Sequence, residues 1–363
     1  MDADLILHYL IRHVNLFRSI LILASFEVNS LNSRDRFIKT MKFELPDRPP
    51  LFEDGIRGDV LQIWRTQGLG KKDKLDSLFS FDKREEIEPL LDPSPMPSHW
   101  PKTIAGLKNL CKRFDPDDPK RLPDDWECKV HEWKTRDYPL ILRVHRGYFL
   151  TMGVHGWHRF TESIQLLVDD PHFIETWMNV YAEFSARLVF RILQEVEVDA
   201  ALFSEPIGSN QGPLISPDMY EKYVLNSYQP ILEVLKHFGV TTIIYRTYAN
   251  TRGLLPSVIK AGFNCLWACE CNPQAMSYRE IRQVFGRNLR LIGGIDSDSL
   301  RQNQQDIQRA VMGVVPPLLE DGGFIPLADG RVREDVSFDN YIFYRKLLET
   351  VTSNPLRVDP EIS

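Results

Sequence analysis

Charged and polar side chains follow several short apolar runs of the chain, and their types suit proton transfer and the orientation of charged substrates. Glu205 comes shortly after the apolar run 198–203, Arg246 and Tyr248 follow the run 240–245, and Glu270 follows the run 265–269. A positioned carboxylate can act as a general acid or base, and arginine or tyrosine can stabilise developing negative charge. The repeated pattern predicts one site assembled from the ends of several elements.

The apolar runs themselves predict strands that are buried on both faces. Each run is too short for a helix and lacks strict alternation, and the segments between runs are long enough for crossover helices. The predicted strands are 51–52, 139–144, 198–203, 240–245, 265–269, 289–292 and 323–327. Repeated βα units favour a single (β/α)8 TIM-type barrel whose site lies at the carboxyl edge. An open doubly wound sheet is the alternative, and it is disfavoured because no glycine-rich phosphate-binding turn follows the first strand.

Two additions to the barrel are predicted. The barrel spans 33–355, and a helical N-terminal extension occupies 1–32. The extension has an apolar stretch at 5–24, but His8, Arg12, His13 and Arg18 interrupt it, which argues against a membrane span. The region 92–136 is rich in proline, aspartate and lysine, so we expect an inserted loop region with a β-hairpin at 126–136.

The composition narrows the classes of partner and compartment. The chain of 363 residues is 43% hydrophobic, which is enough for a full core. A formal charge of -6 gives no basic surface, so we expect no nucleic-acid partner. The chain has five cysteines, an odd number, and their spacing is not that of a disulfide-linked secreted protein. We therefore expect a reducing, cytoplasmic location.

The polar strand ends supply the candidate site residues. A carboxylate at the mouth of a barrel points to function more often than one on a helix face, and a ring of ion pairs is the alternative. Asp296 is expected to be partly structural, as a cap of the following helix. The candidate catalytic residues are Glu205, Asp54, Arg246 and Tyr248, and the candidate substrate-binding residues are His145, Asn210, Asn250, Glu270, Asp296, Asp329 and Arg331.

A pair of closely spaced cysteines is a candidate metal site. Cys269 and Cys271 are separated by one residue, and side chains two apart in a strand share a face. Zinc normally takes three or four protein ligands, and no histidine lies nearby in the sequence. We therefore expect no metal here, with Cys269 buried, Cys271 in a loop and Glu270 facing the pocket.

Several segments, in order from residue 33 onward, resemble the uroporphyrinogen decarboxylase superfamily. This superfamily has the (β/α)8 barrel fold and contains both haem-pathway decarboxylases and corrinoid-linked methyltransferases. The resemblance therefore implies the same barrel that the strand pattern predicts. The matching segments are 33–37 with 43–50, 212–217, 250–256 with 261–263, 291–296, and 322–326 with 335–341.

Within this resemblance, the methyltransferase branch is closer than the haem-pathway decarboxylase. Decarboxylases of the superfamily carry arginines after the first strand that bind the acidic side chains of the tetrapyrrole, whereas this chain has Glu53 and Asp54 there and Arg57 alone. Zinc-dependent methyltransferases of the superfamily carry His-x-Cys before the Asn-x-Arg turn and a further Cys near the C-terminal strand. Here those places hold 246–248 (Arg-Thr-Tyr) and 327–329 (Leu-Ala-Asp), so no zinc is expected.

The resemblance implies an enzyme that moves a methyl group between a small methylated compound and a corrinoid (cobalamin) held by a partner protein. Glu205 or Asp54 would act as acid or base, and Arg246 and Tyr248 would orient the substrate. The alternatives are a carboxy-lyase that acts on a smaller substrate and a non-catalytic binding barrel. No membrane partner is expected, and a homodimer is left open.

Overall fold

The computed structural model describes residues 30–271 and 274–353. The predicted N-terminal extension lies outside these residues except at 30–32. None of the helices in the described ranges combines the length and apolar character that a membrane span requires.

A single parallel sheet forms the centre of the fold. Its seven strands follow chain order, and each pairs in parallel with the next. The predicted parallel α/β architecture is confirmed, with strand bounds shifted by up to three residues. The strands are β1 (Glu85–Ile87), β2 (Leu140–His145), β3 (Ala200–Glu205), β4 (Ile243–Tyr248), β5 (Cys265–Cys269), β6 (Arg290–Ile295) and β7 (Phe324–Ala328).

The sheet is curled, and its concave face encloses one apolar cluster. Side chains from β2 through β7 meet there, with Trp267 of β5 as the largest member. Phe37 and Met41 of the first helix, Ser33–Met41, belong to the same cluster. The opposite face packs against the helices in a second and larger core. This is the inside-and-outside division expected when alternate strand residues point to opposite faces.

Closure into eight strands is not confirmed in the described residues. The predicted first strand at 51–52 is not assigned as a strand, although Phe52 joins the interior cluster. Ile56 makes an isolated parallel bridge to Val332, beyond β7. The strand β1 was missed because its residues, Glu85, Glu86 and Ile87, do not form an apolar run.

Helices surround the sheet. Shorter 3-10 or π turns occur at Pro119–Arg121, Tyr220–Val224, Leu225–Tyr228, Arg252–Leu254, Gly286–Asn288 and Ser297–Arg301. The α-helices are α1 (Ser33–Met41), α2 (Gly58–Thr66), α3 (Leu75–Leu78), α4 (Ile104–Cys111), α5 (Trp126–Trp133), α6 (Tyr148–Thr151), α7 (Trp157–Asp169), α8 (Pro171–Leu193), α9 (Pro217–Met219), α10 (Gln229–His237), α11 (Leu255–Lys260), α12 (Tyr278–Phe285), α13 (Gln304–Asp321) and α14 (Phe338–Ser353).

The prediction of a β-hairpin at 126–136 is wrong, because this segment forms helix α5. Trp126 and Trp133 are seven residues apart and therefore lie on one helical face. Both indoles are buried, with ring centroids 5.5 Å apart.

The segment 33–50, which carried part of the family resemblance, has a structural role at the amino end of the sheet. The guanidinium of Arg36 is buried and donates to Asp47 at 2.7 Å and to Asp82 at 2.6 Å. Asp82 also accepts the backbone N–H of Leu51 at 2.8 Å. This network fixes α1 and the chain that enters the sheet.

Candidate functional site

A polar cavity of about 650 Å³ opens at the carboxyl edge of the sheet, and we call it the mouth. Its position agrees with the edge at which parallel barrels bind their ligands. Asp54, Arg246, Tyr248, Glu270 and Arg331, all predicted site residues, line it. The remaining lining residues are Arg57, Arg143, Ser204, Gly330, Val332, Arg333, Glu334 and Asp335.

Arg246 and Asp54 form the central ion pair of the mouth. One terminal nitrogen of Arg246 donates to both carboxylate oxygens of Asp54, at 2.7 and 2.8 Å. The guanidinium lies over the indole of Trp267, 4.4 Å from the ring centroid, as a planar cation prefers. The side chain of Asp54 is only 3% exposed, so its charge depends on this partner.

Three charged residues below this pair were not singled out from the sequence. Arg143 donates to Glu86 at 3.0 Å, and Arg84 pairs with Glu86 and approaches Asp54 at 3.5 Å. A signal for Arg143 existed, since it is the one charge within an otherwise apolar run. Arg84 and Glu86 gave no comparable signal, because their strand has no apolar pattern.

Glu205 does not share the mouth with Arg246, so that expectation is wrong. In the register of β3 and β4, Ser204 is opposite Arg246, and Glu205 is opposite Thr247. Alternate residues of a strand face opposite sides, which leaves Ser204 in the mouth and directs Glu205 to the helical layer. A role for Glu205 in proton transfer to a substrate in the mouth is therefore dropped.

The carboxylate of Glu205 is fully buried and receives three hydrogen bonds. The backbone N–H of Tyr148 donates at 2.9 Å, and the hydroxyls of Tyr220 and Tyr228 donate at 3.2 and 2.6 Å. Burial raises the pKa of Glu205 to about 7, although these bonds oppose the shift. The residue links β3 to the α6 region and to the turns that precede α10.

His145 also faces the helices, which corrects its prediction as a substrate-binding residue. The pairing of β2 with β3 skips a residue between Arg143 and His145, and this bulge turns His145 to the outer face. Its ring lies 4.4 Å from that of Tyr228. Nδ1 accepts the N–H of Gly147 at 2.9 Å, and burial lowers the pKa of His145 to about 3, so the imidazole is neutral.

A substitution at Gly147 tests how closely the backbone there approaches Glu205. Its φ is +83°, and an added Cβ would lie 2.5 Å from the carbonyl oxygen of Ser204 and 2.6 Å from Oε1 of Glu205. We expect Gly147→Ala to lower the free energy of unfolding by about 2–4 kcal/mol. Gly239→Ala is the matched control, since its φ is +74° but nothing lies within 4 Å, and we expect a loss of about 1 kcal/mol. Equal losses in chemical denaturation would contradict the close approach at Gly147.

Asp329 and Asp296 lie near the mouth but do not line it. Asp329 is buried, and its carboxylate accepts the N–H of Gly294 at 2.7 Å. Burial raises the pKa of Asp329 well above its usual range, so this group favours its protonated form. Asp296 caps the turn Ser297–Arg301 by accepting the N–H of Asp298 at 2.9 Å, which is the structural role expected for it.

The two asparagines predicted to bind substrate lie in the loops beside the mouth and are not among its lining residues. Asn250 accepts the N–H of Arg252 at 3.1 Å, and its backbone pairs with Ser209. Asn210 is exposed in the turn between Ser209 and Gly212. Both residues shape the loops that follow β3 and β4.

Cys269 and Cys271 do not converge on one point. Cys269 belongs to the interior cluster, whereas Cys271 packs in the outer core and donates its S–H to the carbonyls of Cys269 and Ala249. Glu270 between them has a φ of +51°, which breaks the alternation of the strand. No group of three or more histidine, cysteine or acidic residues able to hold a metal occurs in the described ranges.

The positions that hold zinc in the resembled methyltransferases therefore do not fit the metal. Arg246 is a cation engaged with Asp54, and burial raises the pKa of the Cys269 thiol to about 12. We expect elemental analysis of the purified protein to give well below one zinc per chain. A thiol-specific reagent should label exposed Cys128 and leave Cys269 unlabelled until the protein unfolds. Near-stoichiometric zinc, or rapid labelling of native Cys269, would contradict this.

Comparisons with known proteins identify a matching family model and a solved structure with a similar fold. The family model for Uroporphyrinogen decarboxylase (URO-D) matches residues 150–325, which confirms the resemblance predicted from the sequence. A solved structure of a methyltransferase from Methanosarcina mazei has a TM-score of 0.56 and 14% identity, over 88% of this chain and 99% of that chain. At this identity the likeness shows a shared fold. No curated protein sequence matches the chain.

Proposed function

We propose that this chain is a methyltransferase that binds a small methylated substrate in the mouth and transfers its methyl group to a corrinoid on a partner protein. The observation that carries the proposal is the mouth itself. It is a polar cavity at the carboxyl edge of a fold shared with a methyltransferase, and Arg246, Asp54 and Tyr248 converge on it. The match to the uroporphyrinogen decarboxylase family model supports an enzyme, because that family is named for an enzymatic activity.

The residues of the mouth have distinct roles in this proposal. Asp54 orients the guanidinium of Arg246, which stabilises negative charge on the substrate or leaving group. The hydroxyl of Tyr248 has no hydrogen-bond partner in the described residues, and burial raises its pKa, so it stays a donor at neutral pH. It can therefore donate to a leaving oxygen as the bond to the methyl group breaks.

In this proposal the partner protein would present the corrinoid at the rim of the mouth. When bound there, it supplies the nucleophile that accepts the methyl group. The side chains of Arg57, Arg333 and Asp335 are about half exposed at 48%, 41% and 49%, and they present hydrogen-bonding groups outward. No step in this proposal requires zinc.

The test is methyl transfer to cob(I)alamin, followed through the visible spectrum, with a panel of methoxylated aromatics, methylamines and N-methylated amino acids as donors. We expect turnover with at least one donor and a loss of about 10²-fold in Tyr248→Phe. Glu205→Gln should retain turnover, because Glu205 faces the helices. Absence of transfer with every donor in the folded protein would overturn the proposal.

A decarboxylase for a smaller acid is the second candidate. The match to the decarboxylase family model favours it, as does the group of Arg84, Arg143 and Arg246 beneath the mouth, which could bind a carboxylate. Release of CO2 without methylation of cob(I)alamin would select this function over the first.

We also propose that segment 51–56 completes an eight-stranded barrel and that the protein is cytoplasmic. The bridge from Ile56 to Val332 and the N–H of Asp82 donating to the carbonyl of Leu51 support closure between β7 and β1.

The proposed cytoplasmic location is supported by the five free cysteines, since disulfides are rare in the cytosol.

A further inference from the structure

Seven of the nine charged side chains that line the mouth have partners of opposite charge. Arg331 and Glu270 have neither an ion pair nor a side-chain hydrogen bond in the described residues, and both are exposed. Among the residues that the structure describes, the mouth therefore offers one cation and one anion without a partner. The seven paired residues are Asp54, Arg57, Arg143, Arg246, Arg333, Glu334 and Asp335.

The backbone places these two charges on neighbouring loops. Glu270 directly follows β5 and has a φ of +51°, a conformation that is uncommon and costly for this residue type. Its side chain turns toward the loop after β7, where a Cβ on Gly330 would lie 3.3 Å from Cγ of Glu270. Arg331 is the next residue after Gly330, and Tyr248 lines the same cavity.

From this arrangement we infer that the methylated substrate is a small zwitterion, an amino acid whose nitrogen is a quaternary methylammonium. Its carboxylate would pair with Arg331 and accept a hydrogen bond from Tyr248, and its ammonium would lie against Glu270. The inference rests on the proposed methyl transfer and names its substrate class. A methoxylated aromatic fits less well, because the indole of Trp267 is already covered by Arg246 and Arg84, at 4.4 and 4.8 Å.

The chemistry balances for such a donor. The carbon–nitrogen bond breaks, its electron pair stays on nitrogen, and a neutral tertiary amine leaves. The methyl carbon accepts an electron pair from the reduced corrinoid of the proposed partner. No proton is required, which agrees with a mouth whose carboxylate Asp54 is held by Arg246. The amine is neutral when the carbon–nitrogen bond breaks, so its attraction to Glu270 falls until it takes up a proton from water.

Binding to the purified protein, measured by calorimetry without corrinoid, tests the inference with three probes. N,N,N-trimethylglycine carries both charges, 3,3-dimethylbutanoate has the same shape without the ammonium, and choline lacks the carboxylate. We expect the zwitterion to bind about fivefold or more tightly than either analogue, as expected for one partly exposed charge pair each. Equal affinity for all three probes, or no binding of the zwitterion, would overturn the inference.

Variants assign each charge to its partner. Glu270→Gln should abolish the preference for trimethylglycine over dimethylbutanoate, and Arg331→Gln should abolish its preference over choline. Glu280→Gln and Arg309→Gln, which change exposed charges outside the mouth, should leave both preferences intact. If the zwitterion binds as expected but no methyl transfer occurs, the proposed function fails alone. If another donor is demethylated while the zwitterion does not bind, this inference fails alone.

Discussion

Glu205→Ala is expected to lower the free energy of unfolding by about 3–5 kcal/mol. The change leaves the N–H of Tyr148 and the hydroxyls of Tyr220 and Tyr228 without their acceptor, in a place where Glu205 is 0% exposed. It also opens a cavity between β3 and the helical layer. Chemical denaturation of the variant and the wild type measures the difference.

The protonation of Glu205 gives this prediction a pH dependence. Its pKa is about 7 in the folded protein and about 4.5 when exposed, so the folded state binds the proton more tightly. The stabilisation is therefore present at low pH and is lost as the pH rises through 7. Relative to Glu205→Gln, which cannot ionise, the wild type should lose about 3 kcal/mol of stability between about pH 4.5 and pH 8.

The comparison with Glu205→Gln isolates this group from the other titrations of the chain. His145 contributes an opposite trend, since its pKa is lowered to about 3 and its destabilisation appears as the pH falls below about 6.5. That trend is common to the wild type and the variant and cancels in the difference. A difference that stays constant with pH would show that Glu205 is not titrating in the folded protein.

Arg246→Ala is expected to have the second large effect, a loss of about 3–5 kcal/mol in stability together with the loss of methyl transfer. Asp54, with a side chain 3% exposed, would keep Arg84, at 3.5 Å, as its one cationic partner among the described residues. Arg246→Lys should cost less stability, about 1–2 kcal/mol, because it keeps a charge but loses the planar contact with Trp267. Thermal and chemical denaturation measure the first quantity, and the cob(I)alamin assay measures the second.

A double variant separates the charge from the packing. Arg246→Met combined with Asp54→Leu removes both partners, so no unpaired charge is left, and it should be more stable than Arg246→Ala alone. It should remain inactive, because the guanidinium of Arg246, which is proposed to stabilise negative charge in the mouth, is absent. If the double variant is no more stable than the single one, the loss in Arg246→Ala comes from packing against Trp267 instead of the stranded carboxylate.

Most of the sheet could be predicted from the sequence because it is buried on both faces. A strand such as Cys265–Cys269, with all five residues buried, must be apolar throughout, and its bounds were predicted correctly. β1 could not be predicted in this way. Its inner-face residue, Glu86, pairs with Arg84 and Arg143, so its burial is permitted by charges from elsewhere in the chain.

The candidate site could be predicted in part. Asp54, Arg246, Tyr248, Glu270 and Arg331 line the mouth as expected, since residues that follow parallel strands meet at one edge. Whether the side chains of Glu205 and His145 face the mouth could not be predicted from their positions in the sequence. Whether a residue at a strand end faces inward depends on register, and a shift of one residue exchanges the two faces.

The sequence by itself determined the parallel α/β architecture, the family resemblance and the set of polar residues at the carboxyl edge, because local burial and residue type carry that information. Only the tertiary structure decided which of those residues share a cavity. The bulge after Arg143 turned His145 outward, and the register of β3 turned Glu205 to the helices. Tertiary contacts also decided that Asp54 and Arg246 neutralise each other, while Glu270 and Arg331 have no charged partner within residues 30–271 and 274–353. The physical reason is that ion pairing depends on distances of a few ångströms between residues far apart in the chain, which no local pattern records.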